Sequence, residues 1–268
     1  AGMRRKFLAL ALAFALVPSS ALAASNAENA IALSQAALGQ QLPDLALTDT
    51  SGRTVRLSDY RGKPLLVSMI YTGCADVCPT LLESLYPAVE AGRRALGEDS
   101  FAVITVGFDI RNDTPERLRL FARTRGIDLP NWKFLAADEE SLDALAKAVG
   151  FGIYSRAGGF DHMAQVSLID AEGRVSQQIY GAVFEPPIIM DPLKALVLRR
   201  SEPLKSLDIL VDRIRYFCTV YDPKSGRYYF NYSLFISVGI GLLSFSLIVL
   251  ALVREWWRST GRGMRPFR

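Results

Sequence analysis

The chain has 268 residues, half of which are hydrophobic, and a formal net charge of +4. This length suits one ordinary domain together with membrane segments, and it excludes two large domains. Many of the basic residues lie close to the two ends of the chain, so the positive charge does not indicate a nucleic-acid partner, and none is expected.

Residues 1–24 are predicted to form a secretory signal peptide. Ala1 and Gly2 precede Met3 and are expected to be an addition to the natural leader. The leader then has a basic stretch, an apolar stretch and a small-residue cleavage motif, at residues 4–6, 7–17 and 21–23. An uncleaved membrane anchor is the alternative. Cleavage predicts a mature chain that begins near Ala24 and is exported.

Residues 25–40 are a lead without an assigned structure, and residues 41–200 are predicted to form an α/β domain. In this second range, strand-like and helix-like stretches alternate, which is typical of a central sheet flanked by helices. A turn at Gly52 between two short alternating runs predicts an N-terminal hairpin. We predict further strands at residues 64–72, 101–109, 132–136, 165–170 and 175–180, and helices at residues 79–96, 115–125, 141–149 and 192–200.

The C-terminal part is predicted to anchor the chain in a membrane. Residues 201–231 are interpreted as a membrane-proximal connector, with a short helix expected over residues 207–217. Residues 232–253 form an uncharged run of 22 residues, which is long enough for a transmembrane helix. Residues 254–268 carry five arginines, which predicts a cytoplasmic tail. The expected location is a bacterial-type inner membrane with a single C-terminal span and the domain in the periplasm.

Cys74 and Cys78 lie where a predicted strand leads into a predicted helix. Both sulfurs can then lie at the helix N-terminus, where backbone N–H groups and the positive end of the helix dipole favour thiolate over thiol. Three residues separate the two cysteines, compared with two in a Cys-x-x-Cys redox motif. This spacing permits a disulfide and also leaves room for a metal, so it does not choose between redox and metal chemistry. A pair of inert buried cysteines is the remaining alternative.

His162 is the only histidine of the chain. It is predicted to lie on a loop after Gly158 and Gly159, just before a strand, and it could complete a Cys₂His metal site. Two thiolates and one imidazole suit Cu(I), can accommodate Cu(II) and could also bind zinc, and the high affinity of such sites for copper favours copper in an exported protein. A surface histidine without a metal is the alternative.

Three segments together resemble the motifs of the Sco/SenC family: YTGCADVCP at residues 71–79, GFDIRNDTP at residues 107–115 and DHMAQVSLID at residues 161–170. The resemblance extends over residues 41–198. It implies a thioredoxin-like fold, a copper site with Cys74, Cys78 and His162 as ligands, and a role in maturing the dinuclear copper centre of cytochrome oxidase. The implied partner is the copper-accepting subunit of a respiratory oxidase. The familiar tether of that family is N-terminal, whereas the clear span here is C-terminal.

Three carboxylates and a third cysteine have open roles. Asp109 and Asp113 follow a predicted strand and could orient the site or a partner, and the alternative is that Asp113 or Thr114 caps the next helix. Asp161, next to His162, is expected to be a solvated loop residue. Cys218 precedes the span and has no partner if Cys74 and Cys78 pair with each other, and we assign it no function.

Two functions are consistent with these features. A copper metallochaperone would hold the metal with three ligands and pass it on by ligand exchange. A thiol–disulfide reductase would use Cys74 to attack a disulfide and Cys78 to resolve the mixed disulfide, keeping the copper-ligand cysteines of an acceptor reduced. A peroxiredoxin-like peroxidase is disfavoured, because Tyr71 stands three residues before the first cysteine, where those enzymes resemble one another in having threonine.

Overall fold

The computed structural model describes residues 19–156, 158–199, 219–222, 227–230 and 232–260. The chain divides into two compact units, residues 1–203 and residues 204–268. The helices of the first unit are α1 (Ser19–Ala36), α2 (Val77–Leu96), α3 (Pro115–Thr124), α4 (Glu139–Val149) and α5 (Pro186–Arg199). Its strands are β1 (Ala46–Asp49), β2 (Thr54–Arg56), β3 (Leu65–Ile70), β4 (Ala102–Gly107), β5 (Trp132–Ala136), β6 (Ile153–Arg156), β7 (Gly159–His162), β8 (Gln165–Ile169) and β9 (Val175–Tyr180).

A seven-stranded sheet with the order β2-β1-β5-β4-β3-β8-β9 forms the centre of the first unit. Strands β3, β4 and β5 run parallel to one another, and the remaining neighbours pair antiparallel. Every residue of β3 and β4 is buried, as expected for strands that are covered on both faces. The predicted α/β fold, a central sheet flanked by helices and preceded by a hairpin, is confirmed.

The N-terminal hairpin of β1 and β2 depends on a buried carboxylate at its turn. Asp49 Oδ1 accepts hydrogen bonds from the backbone N–H groups of Ser51 (2.8 Å) and Arg53 (3.0 Å). Gly52 has a φ of 83°, which the turn requires and which most side chains would oppose. The hairpin therefore forms where the sequence predicts it, and Asp49 closes its turn.

Two helices of the first unit differ from the prediction. Helix α5 begins at Pro186 and not at Pro192, because Ile189 and Met190 are fully buried and proline is tolerated at the helix start. Helix α1 occupies most of the lead that had no assigned structure. Its last turns pack on the sheet, with Ser34 fully buried and bonded through its hydroxyl to Tyr180 at 2.9 Å.

The second unit contains a β-hairpin and one long apolar helix among its described residues. Strands β10 (Thr219–Asp222) and β11 (Arg227–Phe230) pair antiparallel, which the sequence did not predict. The helix α6 (Ser233–Thr260) includes Phe235–Trp256, 22 residues with a mean hydropathy of 2.6 that are long and apolar enough to cross a membrane. The helix predicted for residues 207–217 and Cys218 lie outside the described residues.

Candidate metal centre

The two cysteines lie at the junction of β3 and α2, as the sequence predicts. The turn after β3 is closed by a hydrogen bond from the Cys74 backbone N–H to the carbonyl oxygen of Tyr71 at 3.1 Å. Cys78 is the second residue of α2, and its backbone N–H donates to the sulfur of Cys74 at 3.3 Å. The Cys74 sulfur therefore accepts a hydrogen bond from the N-terminus of the helix, where negative charge is stabilised.

His162 lies on a hairpin outside the main sheet. The prediction of a loop is wrong in this respect, because His162 is the last residue of β7, which pairs with β6 in a separate two-stranded sheet. Gly158 and Gly159, with φ angles of 87° and 152°, allow the chain to bend between the two strands. Only two residues separate His162 from β8, so the expected position just before a strand is correct.

One nitrogen of His162 faces Cys78 while the other is engaged by the backbone. Nδ1 lies 3.3 Å from the carbonyl oxygen of Met163, a geometry in which Nδ1–H donates. Nε2 lies 3.8 Å from the sulfur of Cys78. A backbone carbonyl that fixes the imidazole tautomer in this way leaves the second nitrogen free to act as a ligand.

Three aromatic rings pack against His162, and a fourth packs against two of these, forming an apolar wall that sequence reasoning does not predict. The imidazole centroid lies 5.1 Å from that of Phe108, 5.5 Å from that of Phe151 and 5.9 Å from that of Tyr71. Phe160 packs against Tyr71 and Phe108 at 5.3 and 5.4 Å. Each of these aromatics stands at or just beyond the end of a strand or helix, or in β7, and this repeated placement is the signal that could have identified the cluster.

The ligand atoms of Cys74, Cys78 and His162 all lie within 4.8 Å of one another. Bonds of about 2.0–2.3 Å from imidazole and thiolate to a first-row metal place two ligands of the same ion at most about 4.6 Å apart. The three atoms are thus at nearly the separation that one metal ion requires, and no large rearrangement is needed. Their assignment as ligands stays a prediction.

The three groups differ in their proton affinities. Burial would raise the pKa of Cys74, but backbone N–H groups of Cys78 and Asp76 stabilise its thiolate and lower its pKa overall. Burial raises the pKa of Cys78, which is only 1% exposed. Burial also lowers the pKa of His162, which favours the neutral imidazole that ligates metals. Cys74 therefore ionises more readily than an ordinary cysteine, and His162 favours the neutral imidazole, before a metal binds.

The structure shows what each of the carboxylates near the site contacts. Asp109 accepts a hydrogen bond from the side chain of Asn112 at 2.7 Å, a local contact. Asp161 is exposed, as expected. The cap of α3 is Thr114, whose hydroxyl accepts from the Arg117 N–H at 3.3 Å. Asp113 is instead buried, and it bonds to the loop that leads to the cysteines.

Known proteins with similar sequences include two bacterial relatives. A SCO1 protein homologue of Bacillus subtilis is 24% identical over 176 residues, covering 60% of this chain and 90% of the relative. A protein of Stutzerimonas stutzeri, described as a candidate copper-binding protein, is 24% identical over 213 residues, covering 73% and 93% of the two chains.

A solved structure agrees with these relatives in fold. A candidate electron transfer protein of Aquifex aeolicus superposes with a TM-score of 0.54 and 31% identity, covering 60% of this chain and 94% of that chain. The SCO1/SenC family model matches residues 35–197, a range that includes both cysteines and His162. The chain therefore belongs to the SCO1/SenC family.

Proposed function

We propose that the chain binds one copper ion through Cys74, Cys78 and His162 and delivers it to the copper-accepting subunit of a cytochrome oxidase. The observation that carries this proposal is the convergence of three ligand atoms within 4.8 Å from two separate parts of the fold. Two soft sulfur ligands and one imidazole are a donor set that suits copper. The description of the Stutzerimonas stutzeri relative as a candidate copper-binding protein supports the same metal.

The arrangement of the ligands suits transfer as well as binding. His162 comes from a hairpin outside the main sheet, whereas both cysteines come from one strand–helix junction within it. Cys78 is 1% exposed, whereas Cys74 and His162 are more exposed, so an incoming ligand from an acceptor reaches the metal from the side of Cys74 and His162. Stepwise replacement of ligands by a similar soft site would pass the ion on without releasing it to solvent.

A thiol–disulfide reductase is the second candidate, and the opposite pKa shifts of the two cysteines favour it. The lowered pKa of Cys74 suits an attacking thiolate, and the raised pKa of Cys78 keeps the resolving thiol protonated until it is needed. In this reaction Cys74 forms a mixed disulfide with the acceptor, and Cys78 then displaces the acceptor sulfur. The acceptor disulfide gains two electrons and the Cys74–Cys78 pair becomes oxidised, so a dithiol reductant is needed for each new cycle.

A copper titration tests the first proposal. The full chain in detergent micelles is reduced and titrated with Cu(I) in competition with a Cu(I) chelator. We expect one tightly bound copper per wild-type chain. His162→Ala removes one ligand, and Cys74→Ser combined with Cys78→Ser removes two, so both variants should lose tight binding while keeping their circular dichroism spectra.

The same samples separate the two candidate functions. Unchanged copper affinity in His162→Ala would exclude the three-ligand site. A wild-type chain without tight copper that nevertheless reduces a model disulfide, with both cysteines required and His162 dispensable, would identify the reductase. A wild-type chain that binds copper and loses it in both variants supports the copper-delivery proposal.

A further inference from the structure

The carboxylate of Asp113 connects two loops at the edge of the sheet where the cysteines lie. Its Oδ1 accepts hydrogen bonds from the backbone N–H of Thr72 at 2.8 Å and from the hydroxyl of Thr72 at 2.7 Å. Its Oδ2 accepts a third, from the backbone N–H of Asp109 at 2.9 Å. Thr72 stands two residues before Cys74, and Asp109 belongs to the loop that follows β4. One side chain therefore holds the start of the cysteine turn against the neighbouring loop.

The fold provides space for this carboxylate within its interior. Asp113 is only 3% exposed, and a Cβ atom added at Gly107 would lie 2.6 Å from its Cβ atom. The φ of Gly107 is not positive, so the absence of a side chain there serves packing and not backbone conformation. Among the described residues, no ion pair to Asp113 is found, and its partners are two N–H groups and one hydroxyl.

The contacts exclude the usual structural explanation for an acidic residue at this position. A carboxylate one residue before Thr114 would be expected to cap α3, but Thr114 itself is the cap. Burying a charged group is costly unless it is hydrogen-bonded, and burial does raise the pKa of Asp113. An apolar residue would avoid this cost, but it could not bridge two backbone N–H groups that belong to different loops.

We propose that Asp113 is a positioning residue that holds the turn from Tyr71 to Asp76 in the geometry in which the Cys74 sulfur receives the Cys78 N–H. The proposal rests on the proposed function where it concerns copper, but the position of the Cys74 thiol is a property of the protein without metal. The residue acts through Thr72, and the chain of contacts runs from Asp109 through the carboxylate and Thr72 to the first cysteine.

Asparagine at this position breaks one specific part of the bridge. Its amide oxygen can still accept from Thr72, but its NH₂ group then faces the N–H of Asp109, and two donors repel each other. Thr72→Val removes only the hydroxyl bond at constant shape and charge, whereas Thr72→Ser retains it. The bridge should therefore be weakened most by Asp113→Asn and less by Thr72→Val, whereas Thr72→Ser should resemble the wild type.

The test compares these variants with a matched control, Asp49→Asn. Asp49 is also a buried carboxylate that accepts several hydrogen bonds, but it lies in the β1–β2 turn and its contacts are local to that turn. Two quantities are measured on the full chain in detergent. They are the affinity for Cu(I) and, without copper, the rate at which iodoacetamide alkylates Cys74 at fixed pH, followed by peptide mass spectrometry.

We expect Asp113→Asn to weaken copper binding and to slow alkylation of Cys74 by about tenfold each, as loss of one charge-assisted bond implies. Thr72→Val should lower both by about threefold, since a single neutral donor is lost from the carboxylate. Asp49→Asn should lower the unfolding temperature but leave both quantities at the wild-type level. Thr72→Ser should keep the wild-type values of both quantities.

Three results would overturn the proposal. Wild-type values of both quantities in Asp113→Asn, with a loss of stability like that of Asp49→Asn, would make the carboxylate purely structural. Faster alkylation in Asp113→Asn would show that it acts through its charge alone. If Asp113→Asn does not fold, unchanged values in Thr72→Val would refute positioning. A wild-type chain without tight copper would refute the proposed function, and the alkylation rates would still decide the role of Asp113.

Discussion

Cys74 and Cys78 both lie at one helix N-terminus, but their surroundings shift their pKa values in opposite directions. Burial disfavours the thiolate of both residues. Cys74 precedes α2, so its sulfur can accept hydrogen bonds from the N–H groups of Asp76 and Cys78, which lower its pKa below the usual 9.0. Cys78 lies inside the first turn, where burial raises its pKa and the nearby Cys74 raises it further. The position of each residue relative to the helix start thus determines its reactivity.

This asymmetry predicts that Cys74 is alkylated faster than Cys78 at every pH at which the fold is stable. Because the pKa of Cys74 is lowered, its thiolate persists below pH 9, and its rate should fall only as the pH drops below that lowered pKa. Cys78 should react slowly throughout, since its pKa is raised and its side chain is buried. Peptide mass spectrometry after timed iodoacetamide treatment measures both rates, and it also separates them from that of Cys218.

The Cys78→Ser variant serves as the control for this experiment. It removes the competing thiol and keeps the backbone N–H that bonds to the Cys74 sulfur, so Cys74 should keep its rate profile. Equal rates for Cys74 and Cys78, or a Cys74 profile centred at or above pH 9, would contradict the effect of the helix N-terminus.

At the scale of elements, the sequence predicts most strands correctly and fails where glycine, proline or alanine obscures the pattern. The strand predicted at residues 132–136 matches β5 at both ends. The sequence does not predict the hairpin that carries His162, because Gly158 and Gly159 suggest a loop when the pairing of the residues on either side is unknown. The predicted start of α5 lies six residues after the observed one, because Pro192 resembles a first-turn proline. Helix α1 is rich in alanine, and from the sequence alone this segment resembles a cleavage motif followed by a lead without assigned structure.

The sequence predicts the site residues with a chemical role better than those whose role depends on packing. The three predicted ligands follow from the resemblance to the Sco/SenC motifs, because the spacing of the cysteines alone leaves both metal and redox chemistry open. Asp113 could not be distinguished from Asp109, since both follow β4 and only the folded loop shows which carboxylate is buried. The aromatic wall around His162 also needed the structure, because its members come from four separate segments.

The docking of α1 gives a prediction that a pair of glycines can test. Gly150 (φ 64°) and Gly126 (φ 65°) both adopt the left-handed conformation after a helix. Alanine at either position costs about 1 kcal/mol for this conformation. At Gly150 the new Cβ would also lie 2.4 Å from the backbone oxygen of Leu33 in α1, whereas at Gly126 no atom lies within 4 Å. Gly150→Ala should therefore lower the free energy of unfolding by at least about 2 kcal/mol more than Gly126→Ala does, because α1 must move away from the new methyl group.

Thermal unfolding of the full chain in detergent measures this difference. Gly126→Ala is the matched control, since it shares the backbone strain and lacks the collision. Hydrogen exchange of the α1 amides should increase only in Gly150→Ala. Equal melting temperatures for the two variants would show that α1 does not contribute to the stability of the domain through this contact.

At the scale of the whole molecule, the apolar helix α6 divides the sequence into two parts that must lie on opposite sides of a membrane if it spans one. The domain with the candidate metal centre precedes the uncharged run at residues 232–253, and the arginine-rich residues 254–268 follow that run. Basic residues next to a span are retained in the cytoplasm. The same rule therefore predicts both the location of the tail and, by exclusion, the periplasmic location of the metal centre.

Two fusion reporters and one labelling experiment test this orientation. A fluorescent protein fused after Arg268 should fold and fluoresce, and alkaline phosphatase at the same site should be inactive, because the predicted tail is cytoplasmic. In intact spheroplasts, a membrane-impermeant maleimide should label Cys74 of the unfused chain, because the domain is predicted to lie outside. Replacing the five tail arginines with glutamine should weaken the preference for a cytoplasmic C-terminus and yield a mixture of the two orientations. An active phosphatase together with a protected Cys74 would invert the topology and place the copper site in the cytoplasm, where it could not meet an acceptor on the periplasmic side.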